Sequence, residues 1–286
     1  MNNVADIKRR IESVRQTRKI TGAMETISVA KMRKSAELYE QNRAYFDFLE
    51  RTVNSALSQG VSEINEFLSH KKHGKKLFIV ISSDKGLCGS FNHDILKTAE
   101  KVIESDSLLF PIGQTACDYF KNACEIDDSY VSYSYSPNYS SAKKIAQKIL
   151  DEYGKTVSSV WIVYSKMVGH SLWQPTVTKL LPIEIDGEKD KLDQTNIEFE
   201  PSVVEVLRHI LPLYLSGFIY GALVNSATSE HCARRAAMSS STKNADELIA
   251  ALSLEYNRAR QGNVTEQIIE IAGSTRALGR NGGGND

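Results

Sequence analysis

"VADIKRRIESVRQTRKITGAMETISVAKMRKSAELYEQNRAYFDFLERTVNSAL", Val4 to Leu57, contains no proline and a single glycine, Gly22. It is rich in Lys, Arg, Glu, Ala and Ser, and proline-free, glycine-poor stretches of this length favour unbroken helix. At 1.5 Å per residue such a helix extends roughly 80 Å, too long to lie within a globular domain. All six prolines of the 286-residue chain fall between Pro111 and Pro212, so the C-terminal end has the same freedom. There "EPSVVEVLRHILPLY" offers Ser202 as an N-cap with Glu205 three residues on, the layout of a capping box. Helical character then continues to about Leu278, roughly 100 Å of helix, before "GRNGGGND" reads as a flexible tail. Pro212 must kink this helix or mark its true start. Gly217, Gly221, Gly262 and Gly273 each weaken it by about 1 kcal/mol relative to Ala.

Between the two helices the pattern changes. "KKLFIVIS", "SLLFPIG", "YVSYSYS" and "SVWIVYSKM" are short β-branched or aromatic runs separated by helix-compatible segments, which predicts a layered α/β domain with parallel strands. "TVTKLLPIEI" adds a strand antiparallel to its neighbour. The expected organisation is a helix over 1–58, the sheet domain over 75–193, a second long helix over 202–280 and a tail over 281–286. The charged segment "IDGEKDKLDQTN" reads as a loop leading away from the sheet domain.

Long helices need partners, since most helix stability comes from burying an apolar face. In the first helix Val4, Ile7, Ile11 and Val14 form a stripe that shifts to Thr17, Ile20, Met24 and Ile27 and resumes through Leu38, Tyr45, Leu49 and Val53. In the second, Leu207, Leu211, Tyr214, Phe218 and Ala222 lead to Ile249, Leu252, Tyr256 and Ala259, then Ile268, Ile271, Thr275 and Leu278. Both stripes are interrupted by small and polar residues. They predict an irregular antiparallel coiled coil within one chain, with the sheet domain inserted between its helices; an ordinary folded-back bundle is the alternative.

Charge and composition narrow the function. Lys+Arg and Asp+Glu are equal at 35 each, so no whole-chain argument favours nucleic acid. From Met1 to Ala36, however, nine basic residues face three acidic ones and recur all around the helix, which suggests an acidic partner surrounding it. No unbroken apolar run reaches the roughly 18 residues that span a bilayer. "MNNVADIKRR" lacks the apolar core of a secretory signal, so a cytosolic-side protein is expected. Cys88, Cys117, Cys124 and Cys232 form no CxxC pair and read as free thiols.

"LFIVISSDKGLCGSFNHDILK", Leu77 to Lys97, is laid out as strand, glycine-bearing turn and helix, as in many phosphate sites. Yet "DKGLCG" matches neither GxGxxG nor GxxxxGK[ST]. An enzyme reading would use Asp84, Lys85 and Cys88, with His93 as an acid–base group, but no second half-site supports it. A free-standing coiled-coil adaptor is the other alternative.

Three stretches together resemble the gamma subunit of the F-type rotary ATP synthase, bacterial type. They are "IKRRIESVRQTRKITGAMETISVAKMRKS" (Ile7 to Ser35), "SSDKGLCGSFN" (Ser82 to Asn92) and "SATSEHCARRAAMSSSTKNADELIAALSLEYNRARQGNVTEQIIEIAGSTRAL" (Ser226 to Leu278). The resemblance covers nearly the whole chain in order. Departures are Arg235 for a common Met, Gly262 for Ala, Val264 for Ile, and "GSTRAL" for a small-residue run, which places Arg276 near the tip.

The resemblance implies a non-catalytic central-stalk rotor without cofactor or metal. Its coiled coil would stand inside three alpha and three beta subunits, and its sheet domain, Rossmann-like without bound nucleotide, would rest on the c-ring and bind epsilon. Rotation of the c-ring by proton or sodium flow would drive ATP synthesis, hydrolysis the reverse, at the cytoplasmic side of the bacterial inner membrane. It assigns Arg260 and Gln261 to a beta-subunit catch loop, and Met24 with Lys19 and Lys31 to the acidic lever of beta. Ile268, Ile271 and Leu278 fall to the upper bearing, and Phe199 and Glu200 to the c-ring and epsilon contact. Gly86 and Gly89 are expected to serve tight turning and close packing.

Overall fold

The computed structural model describes residues 4–58, 74–134, 137–169, 172–183 and 199–281, except for the side chains of 58 and 275–281. In chain order these residues form α1 (Val4–Ser58), β1 (Lys75–Ile81), α2 (Phe91–Glu100), β2 (Leu108–Ile112) and α3 (Gln114–Phe120). They continue as β3 (Glu125–Ile126), a 3-10 helix (Asp128–Ser134), α4 (Tyr139–Glu152), β4 (Val157–Met167), β5 (Trp173–Leu181) and α5 (Val203–Asn281). Contacts divide the chain into two units, Met1–Thr26 with Ala237–Asp286, and Ile27–Ala236. The expected "IDGEKDKLDQTN" loop, the end of the glycine-rich tail and the Leu278 side chain lie outside the described residues.

In the larger unit the sheet runs β3-β2-β1-β4-β5, with β5 alone antiparallel. β1 is apolar at successive positions because both of its faces are covered. Leu77, Ile79 and Ile81 join Phe110, Ile145 and Ile149 on one side. Phe78 and Val80 join Phe91, Ile95, Ala116 and Phe120 on the other. Pro175 is accommodated because β5 is an edge strand.

One expected strand is a helix instead. "YVSYSYS" begins within the 3-10 helix Asp128–Ser134, and its last two residues lie outside the described set. Asp127 Oδ1 accepts from the Ser129 N–H at 3.1 Å, fixing a turn just where extended backbone would have to start. Tyr130 joins the core, its ring tilted against Phe110 at a centroid distance of 5.2 Å. The place beside β2 is taken by the two-residue β3.

The terminal helices pair antiparallel within each unit. In the larger one Val53, Ala56 and Leu57 of α1 cluster with Leu207 of α5, and further along Phe46 meets Tyr220 edge-on at 6.0 Å. Gly217 earns its place here, for an added Cβ would stand 3.1 Å from the Phe46 ring. α5 starts at Ser202, whose Oγ accepts from the Glu205 N–H at 3.2 Å, and it runs through Pro212 instead of starting there. One window of α5 has a mean hydropathy of 1.4, apolar enough to cross a bilayer by composition, but 61% of it is buried inside the protein, as in a core helix.

In the smaller unit Ile7 and Ile11 pack with Leu252, flanked by Val14, Tyr256 and Ala259. Thr21 Oγ1 and Thr242 Oγ1 then lie 2.7 Å apart, and Arg18 Nε donates to Asp246 Oδ1 at 2.7 Å. Here the expected stripe is corrected. Ile20 is 60% exposed, whereas Thr21 is buried, because the small Thr242 of α5 faces this level and a short hydroxyl fits the close approach. In the larger unit Ile27 is likewise 56% exposed while Ser28 is buried.

Gly113 connects β2 to α3 at φ +94°, and a Cβ there would stand 2.3 Å from the Ser82 carbonyl oxygen. Gly113→Ala is therefore expected to destabilise the protein by at least about 2 kcal/mol, read as a lowered urea midpoint for loss of sheet signal; an unchanged midpoint would contradict this packing.

Candidate functional site

In an open α/β sheet the ligand crevice lies beyond the carboxyl ends of the strands, where the chain order diverges to either side. Here that place is between β1 and β4, since β1 leads outward to β2 while β4 lies on its other flank. The chain fills it with its own helix α5. The Ser165 N–H of β4 donates to Ser226 Oγ at 3.0 Å, and Ser229 Oγ donates to the Ser165 carbonyl at 3.4 Å. At the end of β1, Arg234 Nη2 donates to the carbonyls of Lys85 and Gly86 at 3.0 and 3.2 Å. Its Nη1 donates to Glu230 Oε1 at 2.6 Å.

The "DKGLCG" loop is thus tied inward. Asn92 Oδ1 accepts from the Ser83 N–H at 3.0 Å, and Ser83 Oγ donates to the Lys85 carbonyl at 2.8 Å. A phosphate cradle needs free N–H groups pointing into a hollow; this loop turns carbonyls toward a guanidinium. Gly89, at φ +59°, provides the expected tight turn. Gly86 does not: a Cβ there meets nothing within 4 Å, so neither turning nor packing requires glycine. The left-handed residue beside it is Leu87, at φ +62°. Cys88 is buried, which pushes its thiol pKa up and away from the thiolate a redox or nucleophilic role needs. Asn92 Nδ2 lies 3.4 Å from the Cys88 sulfur, while His93 is exposed. The residues of the enzyme reading are not gathered into a catalytic arrangement.

The surfaces singled out for partners fall elsewhere. In the smaller unit Lys19, Arg260 and Gln261 are exposed and Met24 is half-buried. Every described side chain of α5 from Arg260 to Ser274 is exposed. Among them Val264, Ile268 and Ile271 recur at helical spacing, 49%, 61% and 65% exposed, an apolar stripe left in solvent. In the larger unit Lys31 is exposed, close enough to Glu230 and His231 to act on their titration. Glu200 is exposed, whereas Phe199 is half-buried against Val53, Ala56, Leu57 and Leu207 and so serves the core as well.

Sequence reasoning missed Arg234. Its one trace is the Glu230 to Arg234 spacing of four, an ordinary helical ion pair; the loop carbonyls it holds come from far earlier in the chain. The pair is buried on a helix beside His231, whose Nδ1 lies 3.4 Å from Arg234 Nη1. Burial, with the neighbouring Arg234 and Lys31 charges, lowers the His231 pKa to about 4. Burial raises that of Glu230 against the opposing pull of Arg234.

These shifts set a pH dependence. Between its usual value near 6.5 and about 4, His231 takes up a proton in the unfolded chain before the folded one, so its contribution to stability is lost as pH falls through that window. Glu230, with its folded pKa raised, binds its proton more readily when folded and partly offsets the loss. His231→Gln is expected to flatten the decline in unfolding free energy between pH 6.5 and 4; a decline as steep as in the parent chain would contradict a half-buried neutral imidazole.

Comparison with known proteins gives a consistent family. The profile of the ATP synthase family matches residues 3–278. The ATP synthase gamma chain of Ruminiclostridium cellulolyticum is 38% identical, over 97% of this chain and 99% of the relative. The gamma chain of Acetobacterium woodii, described as sodium ion specific, is 35% identical over 96% and 99% respectively. Among solved structures, a chain of the mitochondrial ATP synthase of Euglena gracilis, in an OSCP/F1/c-ring assembly, shares the fold with a TM-score of 0.67 at 16% identity, over 99% of this chain and 97% of that one.

Proposed function

The chain belongs to the ATP synthase gamma-chain family, and from that premise we propose how its surfaces work. It is the central-stalk rotor subunit, which couples rotation of the c-ring, driven by ion flow, to ATP synthesis in the alpha/beta hexamer, or runs in reverse on hydrolysis. Its partners are the alpha and beta subunits, epsilon and the c-ring. As a component of a membrane-associated complex it sits, on our reading, peripherally at the cytoplasmic side of a bacterial inner membrane. It carries no catalytic residue itself, the ATP chemistry being done on the beta subunits.

The observation that carries the detailed reading is the uncovered stripe of Val264, Ile268 and Ile271. A monomeric surface gains nothing from such a stripe, but a helix turning inside an apolar sleeve needs one. Leu278 continues the spacing toward the same bearing. Below it, Arg260 and Gln261 offer polar donors to a catch loop on beta, and Arg suits carboxylate partners through its planar fork. Met24, with Lys19 and Lys31, faces the acidic lever of beta. Phe199 and Glu200 meet the c-ring or epsilon, Phe199 through its exposed edge. A rotor biases each catalytic site only by making different contacts with each subunit, and a basic end with one apolar stripe is asymmetric in that sense.

Adding the chain to alpha and beta subunits is expected to yield one copy per hexamer and sustained ATP turnover that the chain alone lacks. ATP hydrolysis by the isolated chain, or no complex, would overturn the reading. Ile268→Ser with Ile271→Ser should change the unfolding free energy of the free chain by less than about 0.5 kcal/mol, since both side chains are already in solvent. The same variant should lower turnover of the reconstituted complex; unimpaired turnover would remove these residues from the bearing.

A further inference from the structure

Arg234 and Glu230 have side chains only 10% and 14% exposed, which sets them apart from the surface pairs of this protein. A buried ion pair seldom stabilises a fold more than apolar packing of the same volume would, so its presence points to a geometric use. The guanidinium is divided between two elements: Nη1 to Glu230 on its own helix, Nη2 to the Lys85 and Gly86 carbonyls of the β1–α2 loop. Those carbonyls immediately precede Leu87, a branched residue in the left-handed region at φ +62°. Such a conformation persists only where its surroundings over-determine it. Here Ser83, Asn92 and Arg234 hold the loop from three sides.

Earlier on α5, Ser226 and Ser229 engage both backbone groups of Ser165 on β4. α5 is therefore tied by directional bonds to the end of β4 and to the loop after β1, at points about 8–12 Å apart along its axis. The apolar packing of Ala222, Leu223 and Ala233 on the sheet sets the spacing between layers, but it is non-directional and resists rotation about the helix axis weakly. Hydrogen bonds with a planar fork fix that rotation.

We propose that Arg234 is a positioning residue for rotary coupling: it keys α5 to the β1–α2 loop at one rotational phase, so that torque delivered to the sheet domain enters α5 without slip. This rests on the rotor reading above and adds an internal transmission point to it. A lysine at 234 keeps a positive charge beside Glu230 but is a single point, unable to span Glu230 and two carbonyls together.

The test uses Arg234→Lys in the full chain and in the membrane-reconstituted complex. In the free chain, amide exchange at residues 85–92 is expected to quicken about 10-fold or more, while the Ile79 and Ile162 amides of the sheet interior keep their rates. In the complex, ions pumped per ATP hydrolysed should fall severalfold with hydrolysis retained, and the parent Arg should restore both readouts. The Glu230→Gln, Arg234→Gln double variant, which leaves no unpaired buried charge, should show the same two changes. Unchanged exchange in the loop would overturn the clamp. Faster exchange with an unchanged pumping ratio would show a purely structural contact and overturn the coupling role. Failure of the parent chain itself to couple would overturn the rotor reading, and the proposal with it.

Discussion

A 55-residue helix gains little from its own backbone in water, and each of the two terminal helices is stable only where the other covers its apolar side chains. In the smaller unit that cover is thin. Ile7, Ile11 and Leu252 are its buried apolar cluster, each worth about 1.5–3 kcal/mol when fully buried. The next level exchanges large side chains for Thr21 against Thr242, and the Arg18–Asp246 pair beside it, half in solvent, adds little. A polar layer of this kind contributes less to stability than leucine would, but it disfavours other registers in which a hydroxyl would be buried alone. Most of the apolar core lies in the larger unit, where the same two helices pack with the sheet.

Features set by local rules were legible in the sequence. Long helices followed from the absence of proline, the start of α5 from Ser202, and the strands from β-branched runs bounded by turns. Features set by what lies opposite were not. Ile20 and Ile27 continue an apolar rhythm, yet both are exposed, since only the residues facing a position decide whether a large side chain fits. "YVSYSYS" has a strand's alternation, but Asp127 turns the backbone before a strand can start. Arg234 gave no signal beyond its ordinary helical spacing to Glu230, because its loop partners are main-chain carbonyls, which carry no residue identity. Gly86 is expected to serve turning and close packing, yet the space around it does not require glycine.

The sheet domain has a strand order shared with many nucleotide-binding proteins, and function resides in what is built on such a fold. Its crevice is occupied by α5, the Ser83 N–H donates to Asn92, and the Lys85 carbonyl accepts from Arg234. What would be a binding loop becomes an attachment between helix and sheet. At the far end of α5 the arrangement is the opposite, with Val264, Ile268 and Ile271 exposed. One helix thus joins an internally tied segment to one whose apolar side chains are exposed.

The most direct measurement is single-particle rotation: the alpha/beta hexamer fixed to a surface, this chain assembled within it, and a bead attached to the sheet domain. With ATP supplied, the account predicts stepwise rotation in one direction whose rate follows hydrolysis. Hydrolysis by the assembled complex with a stationary bead would contradict it.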